Sequence, residues 1–162
     1  MNSIKSTLAF QFACTFLWIG FVCAISFMEA WLKFRAPGIT IELGLGIGQL
    51  VFTALNRVEW VLALAILAPI LLSNNLKMRR NVFLLIPLLV LILQSLWLLP
   101  ALDTQATAII NNQILPSSNL HFYFVLAEII KVAGLLIFGI NLFINYGSKT
   151  SATAGRKVSA IG

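Results

Sequence analysis

The chain has 162 residues and a formal net charge of +6; 60% of it is hydrophobic and only 10% is charged. A soluble domain carries about a quarter charged residues, so this composition excludes an ordinary water-soluble globule. The basic residues fall in separate short connections and in the tail rather than on one folded face, which excludes a nucleic-acid-binding surface.

Four apolar runs account for the composition, roughly 8–31, 50–72, 82–102 and 120–146. Each is about 20 residues or longer, enough to cross ~30 Å of hydrocarbon as a helix. Within lipid every backbone polar group must be satisfied inside the segment. Helices do this, and the short alternating segments of a membrane barrel are missing. The expected fold is all-α: a polytopic membrane protein with one four-transmembrane-helix bundle over residues 1–146 and the lipid bilayer as its first partner.

The first run follows Lys5 and is too long for the core of a secretory signal. Ser26-Phe27-Met28-Glu29 offers no small-x-small cleavage site, so the run reads as a retained helix. Cys14 and Cys23 lie about 13 Å apart along that helix, cannot bridge to each other within one chain, and read as small packing residues. Pro37-Gly38 ends the helix. In the following "ITIELGLGIGQL", Gly44, Gly46 and Gly48 lack the preceding strand and the lysine of a phosphate loop. Gly44 and Gly48, four residues apart, suit close helix approach. Residues 39–49 are either a separate interfacial helix or an extension of the second crossing. The second connection, "SNNLKMRRN", is a tight basic turn. The third, "DTQATAIINNQILPSSN", is polar and long enough for one short helix, and the basic tail 147–162 is expected to be disordered.

With both termini in the cytoplasm, that side holds Lys5, Lys77, Arg79, Arg80, Lys149, Arg156 and Lys157, against Lys33 and Arg35 outside. The bias sets the orientation. All four helices then carry their polar groups in the outer half. The first has Glu29 and Lys33, the second Asn56, Arg57 and Glu59, the third Gln94, and the fourth His121, Tyr123, Glu128 and Lys131. At about 100° per residue, Gln49, Asn56 and Glu59 share one face of the second helix, while Arg57 points roughly 160° away from Glu59. Each of the two charges therefore needs a partner from elsewhere. The signs suggest Glu128 with Arg57 and Glu59 with Lys131. A charge at the membrane centre costs at least about 2.5–3.5 kcal/mol, so such groups face the bundle interior, paired, or line a functional pocket. Glu29 with Lys33 reads as an interfacial pair. His121 and Tyr123 read as interface residues, and one histidine makes no metal site. Trp31, Trp60 and Trp97 fit an aromatic belt or packing.

The segments "LWIGFVCAISFMEAWLKFRAP", "IGQLVFTALNRVEW" and "HFYFVLAEIIK" resemble small four-span bacterial membrane proteins of unknown function, over about the first 145 residues. The resemblance implies a bacterial inner-membrane location and carries over no site residues or cofactor.

Three classes of function remain. An enzyme would need a nucleophile, metal set or cofactor motif, and haem would need axial ligands beyond one histidine and three methionines. A transporter or channel would use the intramembrane charges, as an oligomer, since four short helices leave little room for a path. The reading favoured by the sequence is a binding or accessory membrane protein with a charged polar pocket in the outer half, alone, as a homo-oligomer or in a larger membrane complex. Reporter fusions at Lys77 and Gly147 are expected to signal cytoplasm and one at Gln113 the outside; the reverse pattern would overturn the orientation.

Overall fold

The structure is a computed structural model that describes the backbone of residues 2–72, 78–113 and 119–158 and the side chains of 6–72, 82–113 and 119–144. It is an all-α bundle of four rods, each long and apolar enough to cross a membrane. Rod α1 begins as an α-helix at Asn2–Val22, widens to a π-helical stretch at Cys23–Glu29, and ends through Ala30–Leu32 and a 3₁₀ turn at Lys33–Arg35. Rod α2 is Ile41–Leu72. Rod α3 runs Met78–Leu93, passes through a π-helical turn at Gln94–Leu98, and continues over Leu99–Ile110. Rod α4 is Leu120–Val158.

The rods exceed the apolar runs: α1 and α3 are longer at both ends, α2 at its start and α4 at its end. Residues 41–49 prolong the second crossing rather than forming an interfacial helix. The short helix allowed in the third connection is the upper end of α3, through Ile110. The backbone of α4 stays helical past Gly147 to Val158, and residues 159–162 lie outside the described residues. Between α1 and α2 the chain turns at Gly38, whose φ of +82° is the left-handed conformation that glycine adopts without a Cβ penalty.

Rod α1 packs on α2 and α4, and α3 packs on the same two, which sets α2 and α4 on one diagonal and α1 and α3 on the other. Cross-links between rods fix their directions. Gln49 reaches Asp103 and Asn56 reaches Ser95, so α2 and α3 are antiparallel. The rings of Phe52 and Phe124 meet edge to face at 5.1 Å and Glu59 meets Lys131, so α2 and α4 are parallel. The first and third connections close one end of the bundle, the upper end.

The lower half holds the apolar core, where Trp18, Ala63, Ile66, Leu84, Leu91, Leu135, Phe138 and Leu142 are buried. A polar cross-link crosses it. Pro69, inside α2, has no N–H to donate and disturbs the ladder one turn above. The buried Gln11 of α1 donates to the neighbouring carbonyl of Ile66 at 3.1 Å. Outward side chains in the spans are mostly apolar, including Leu50, Leu64, Leu71, Leu89 and Leu96, as a lipid-facing surface requires, and the exposed Arg57 of α2 departs from this.

Small residues set the closest approaches. A Cβ on the buried Gly134 of α4 would lie 2.9 Å from the ring of Pro87 in α3, and neither backbone can yield cheaply. Around Gly20 nothing lies within 4 Å of such a Cβ. Gly134→Ala is therefore expected to cost about 1–3 kcal/mol through overpacking. Gly20→Ala should be neutral or stabilise by up to about 1 kcal/mol, because alanine favours the helix. Thermal melts in detergent compare the two, and equal shifts would contradict this packing.

Candidate functional site: a buried charge cluster beneath an upper cavity

Two polar layers lie on the bundle axis. They arise from one spacing used twice: Gln49, Phe52, Asn56 and Glu59 on α2, and His121, Phe124, Glu128 and Lys131 on α4. Steps of three, four and three residues keep each set on one helix face. Because the two rods are parallel and diagonal, the sets come together level by level across the axis.

The lower layer is a cluster to which all four rods contribute. Lys131 Nζ donates to Glu59 Oε1 at 2.5 Å and to Glu128 Oε1 at 3.3 Å. Trp18 Nε1 of α1 donates to the same Glu59 oxygen at 2.8 Å, and Gln94 Nε2 of α3 to Glu128 Oε1 at 3.0 Å. Lys131 is 0% exposed, Glu128 1% and Glu59 2%, so the charges are out of contact with lipid and water. Two acceptors, Glu128 Oε2 and Gln94 Oε1, have no hydrogen-bond partner among the described residues. With both carboxylates ionised the three charges sum to −1. Beside the cluster, Ser95 Oγ receives hydrogen bonds from Asn56 Nδ2 at 2.8 Å and Trp60 Nε1 at 3.0 Å and donates to the Leu91 carbonyl.

The upper layer surrounds a cavity of about 120 Å³. Its walls are mainly apolar, from Phe34, Phe52, Leu99, Leu102 and Phe124, and Lys33, Gln49, Asp103 and His121 give it a polar component. Lys33 Nζ pairs with Glu29 at 3.3 Å and lies 5.3 Å from the centre of the Phe52 ring, a cation–π arrangement. Gly44 and Gly48 leave the room that the Phe34 ring and the Lys33 ammonium occupy. The spacing suggests close approach of helices, and here side chains at the end of α1 fill the space. The Phe52–Phe124 ring pair stands at the level between cavity and cluster.

The ten residues singled out in the sequence thus divide. Glu59, Gln94, Glu128 and Lys131 form the cluster, and the expected Glu59–Lys131 pair is present. Glu29 and Lys33 pair at the upper end, where Lys33 and His121 line the cavity. Asn56 is half-buried on Ser95, and Tyr123 is exposed beside Phe122. The expected Arg57–Glu128 pair does not form. Arg57 is exposed on the outer side of α2, 160° from Glu59, and Glu128 is held by Lys131 from its own helix, three residues on. Trp31 and Trp97 face outward, as a belt requires, and Trp60 is half-buried.

Sequence reasoning did not single out Trp18, Ser95 or Asp103. A tryptophan deep in an apolar run carries no signal of its own. Its indole N–H must find an acceptor when buried, and the free faces of Glu59 could have suggested one. The free cysteines remain apart, Cys14 buried and Cys23 exposed. Among the described residues no three His, Cys, Asp or Glu side chains are grouped to hold a metal ion. In comparison with known proteins, no family model, no curated protein and no solved structure matches this chain.

The cluster makes unequal demands on its members. Lys131→Met leaves two buried carboxylates without a cation and should cost about 3–5 kcal/mol. Glu128→Gln keeps the acceptor and leaves the Glu59–Lys131 pair neutral. No buried charge is then left without a partner, so it should cost well under half as much. Denaturation of both variants in mixed micelles tests the order, and a milder Lys131→Met would refute it.

Proposed function

We propose that this chain is a bacterial inner-membrane protein with both termini in the cytoplasm, acting as a binding or accessory membrane protein. Its ligand site is the cavity at the upper, outward-facing end. The observation that carries this reading is a largely apolar cavity with a few convergent polar groups, the usual make-up of a small-molecule site. Apolar cavities of about 150 Å³ take benzene, so a volume near 120 Å³ suits a small ring or a short alkyl segment. The polar end of such a molecule would meet Lys33, Asp103 or His121. In this reading the buried cluster is the platform beneath the site. It holds α2 and α4 in register, so that Phe52 and Phe124 form the floor.

Accessibility from outside tests the reading. In a background with Cys14 and Cys23 replaced by alanine, cysteines at Gln49 and His121 should react with a membrane-impermeant thiol reagent added outside. Cysteines at Leu64 and Leu136 should not. Native mass spectrometry of the purified protein should show a retained small molecule, lost when Ala106→Phe fills the cavity. Equal protection of all four cysteines, or retention unaffected by Ala106→Phe, would sink the proposal.

A further inference from the structure

Arg57 lies at the middle of the 32-residue α2 rod, about 24 Å from its start. Its side chain is exposed on the outward face, along a stripe that includes Leu50, Thr53, Ala54, Val61, Leu64 and Ala68. With ~30 Å of hydrocarbon centred on that rod, a guanidinium that stays protonated in proteins stands close to the midplane and faces lipid. Charges at that depth normally face the interior of a bundle and are paired. Arg57 has no hydrogen bond or ion pair among the described residues.

The chain's five acids show where a partner can come from. Glu59 and Glu128 are buried and engaged with Lys131, so they are closed to an outward arginine. Glu29 and Asp103 line or flank the upper cavity, and Glu42 sits in the first turn of α2, about 22 Å above Arg57. A second copy of this chain packed on the same face therefore brings no carboxylate to Arg57. Lipid tails bring none either.

We infer that the outward face of α2 around Arg57 docks a transmembrane helix of a different protein, one that carries an aspartate or glutamate at mid-membrane depth. Thr53 and Ala54, one turn toward the upper end, and Ala68 farther down keep the face shallow enough for a second helix to approach closely. The inference rests on the accessory reading above, but on a different surface. The cavity tests do not involve this face, so either idea can fail without the other.

The probe is a set of labelled polyleucine transmembrane peptides in phosphatidylcholine vesicles that contain the full-length protein, with association read by energy transfer. One peptide carries a central glutamate, one carries a glutamate near its upper end, and one carries none. The central-glutamate peptide is expected to associate about tenfold more tightly than the plain one. Arg57→Leu should abolish that difference without changing helix content or thermal stability, and Arg57→Lys should restore part of it. Equal association of all three peptides would overturn the inference. So would a preference for the upper-end glutamate, which would place the guanidinium among lipid headgroups. Unfolding by Arg57→Leu would show an internal partner, and a wild-type dimer that this substitution dissociates would make a second copy the occupant. Either result also refutes it.

Discussion

The ion pair between Lys131 and Glu59 spans the diagonal of the bundle, and the arrangement of the other polar groups follows from it. Neither charge could remain in an apolar interior alone, since an unpaired buried charge costs several kcal/mol. Each helix is therefore held at the rotation and height that brings the two together. Once α2 and α4 are so fixed, Phe52 meets Phe124 one level up, and Gln49 and His121 stand above them at the cavity. The other diagonal closes around the pair, with the indole of Trp18 on one carboxylate and the amide of Gln94 on the other.

Lipid tails are as apolar as leucine side chains, so the hydrophobic effect does not choose among rotations of the rods, and close packing and polar contacts must. Hydrogen-bonded polar groups narrow that choice. The π-helical turns at Cys23–Glu29 and Gln94–Leu98 belong to the same division of labour. They occur on α1 and α3, the diagonal that adapts, whereas α2 and α4 carry the charges on unbroken α-helix. The wider turn at Gln94–Leu98 begins at the residue that must reach Glu128, and both Gln94 and Leu98 are buried. Single π-turns inside α-helices are frequent at functional sites.

Arg57 and Lys131 show how position decides what a membrane charge does. Both lie in the apolar part of a rod, and both are cationic side chains that suit a carboxylate partner. Lys131 points inward and is used up within the chain, whereas Arg57 points outward and has no partner among the described residues. The two buried carboxyl groups outnumber the one buried cation, yet Arg57 does not serve the second, because it points away from the bundle axis.

The sequence by itself determined the all-α class and the four crossings, because a charge-poor chain with four runs of this length has no other way to satisfy its backbone in lipid. It also determined which residues share a helix face, since periodicity of 3.6 is a local property. Glu59 with Asn56 and Gln49, and Glu128 with His121, were legible for that reason. So was the isolation of Arg57 from Glu59, whereas the side chains of Phe34 and Lys33 that fill the space at Gly44 and Gly48 were not. Which faces meet depends on rotation and depth that no local pattern encodes. Only the tertiary structure decided that Lys131 takes both carboxylates, that Arg57 faces out instead of meeting Glu128, and that Trp18 completes the cluster. The choice between Lys131 and Arg57 as partner for Glu128 turned on a short reach within one helix against a reach around another. Chain geometry settles that contest in three dimensions, and signs of charge along the sequence do not.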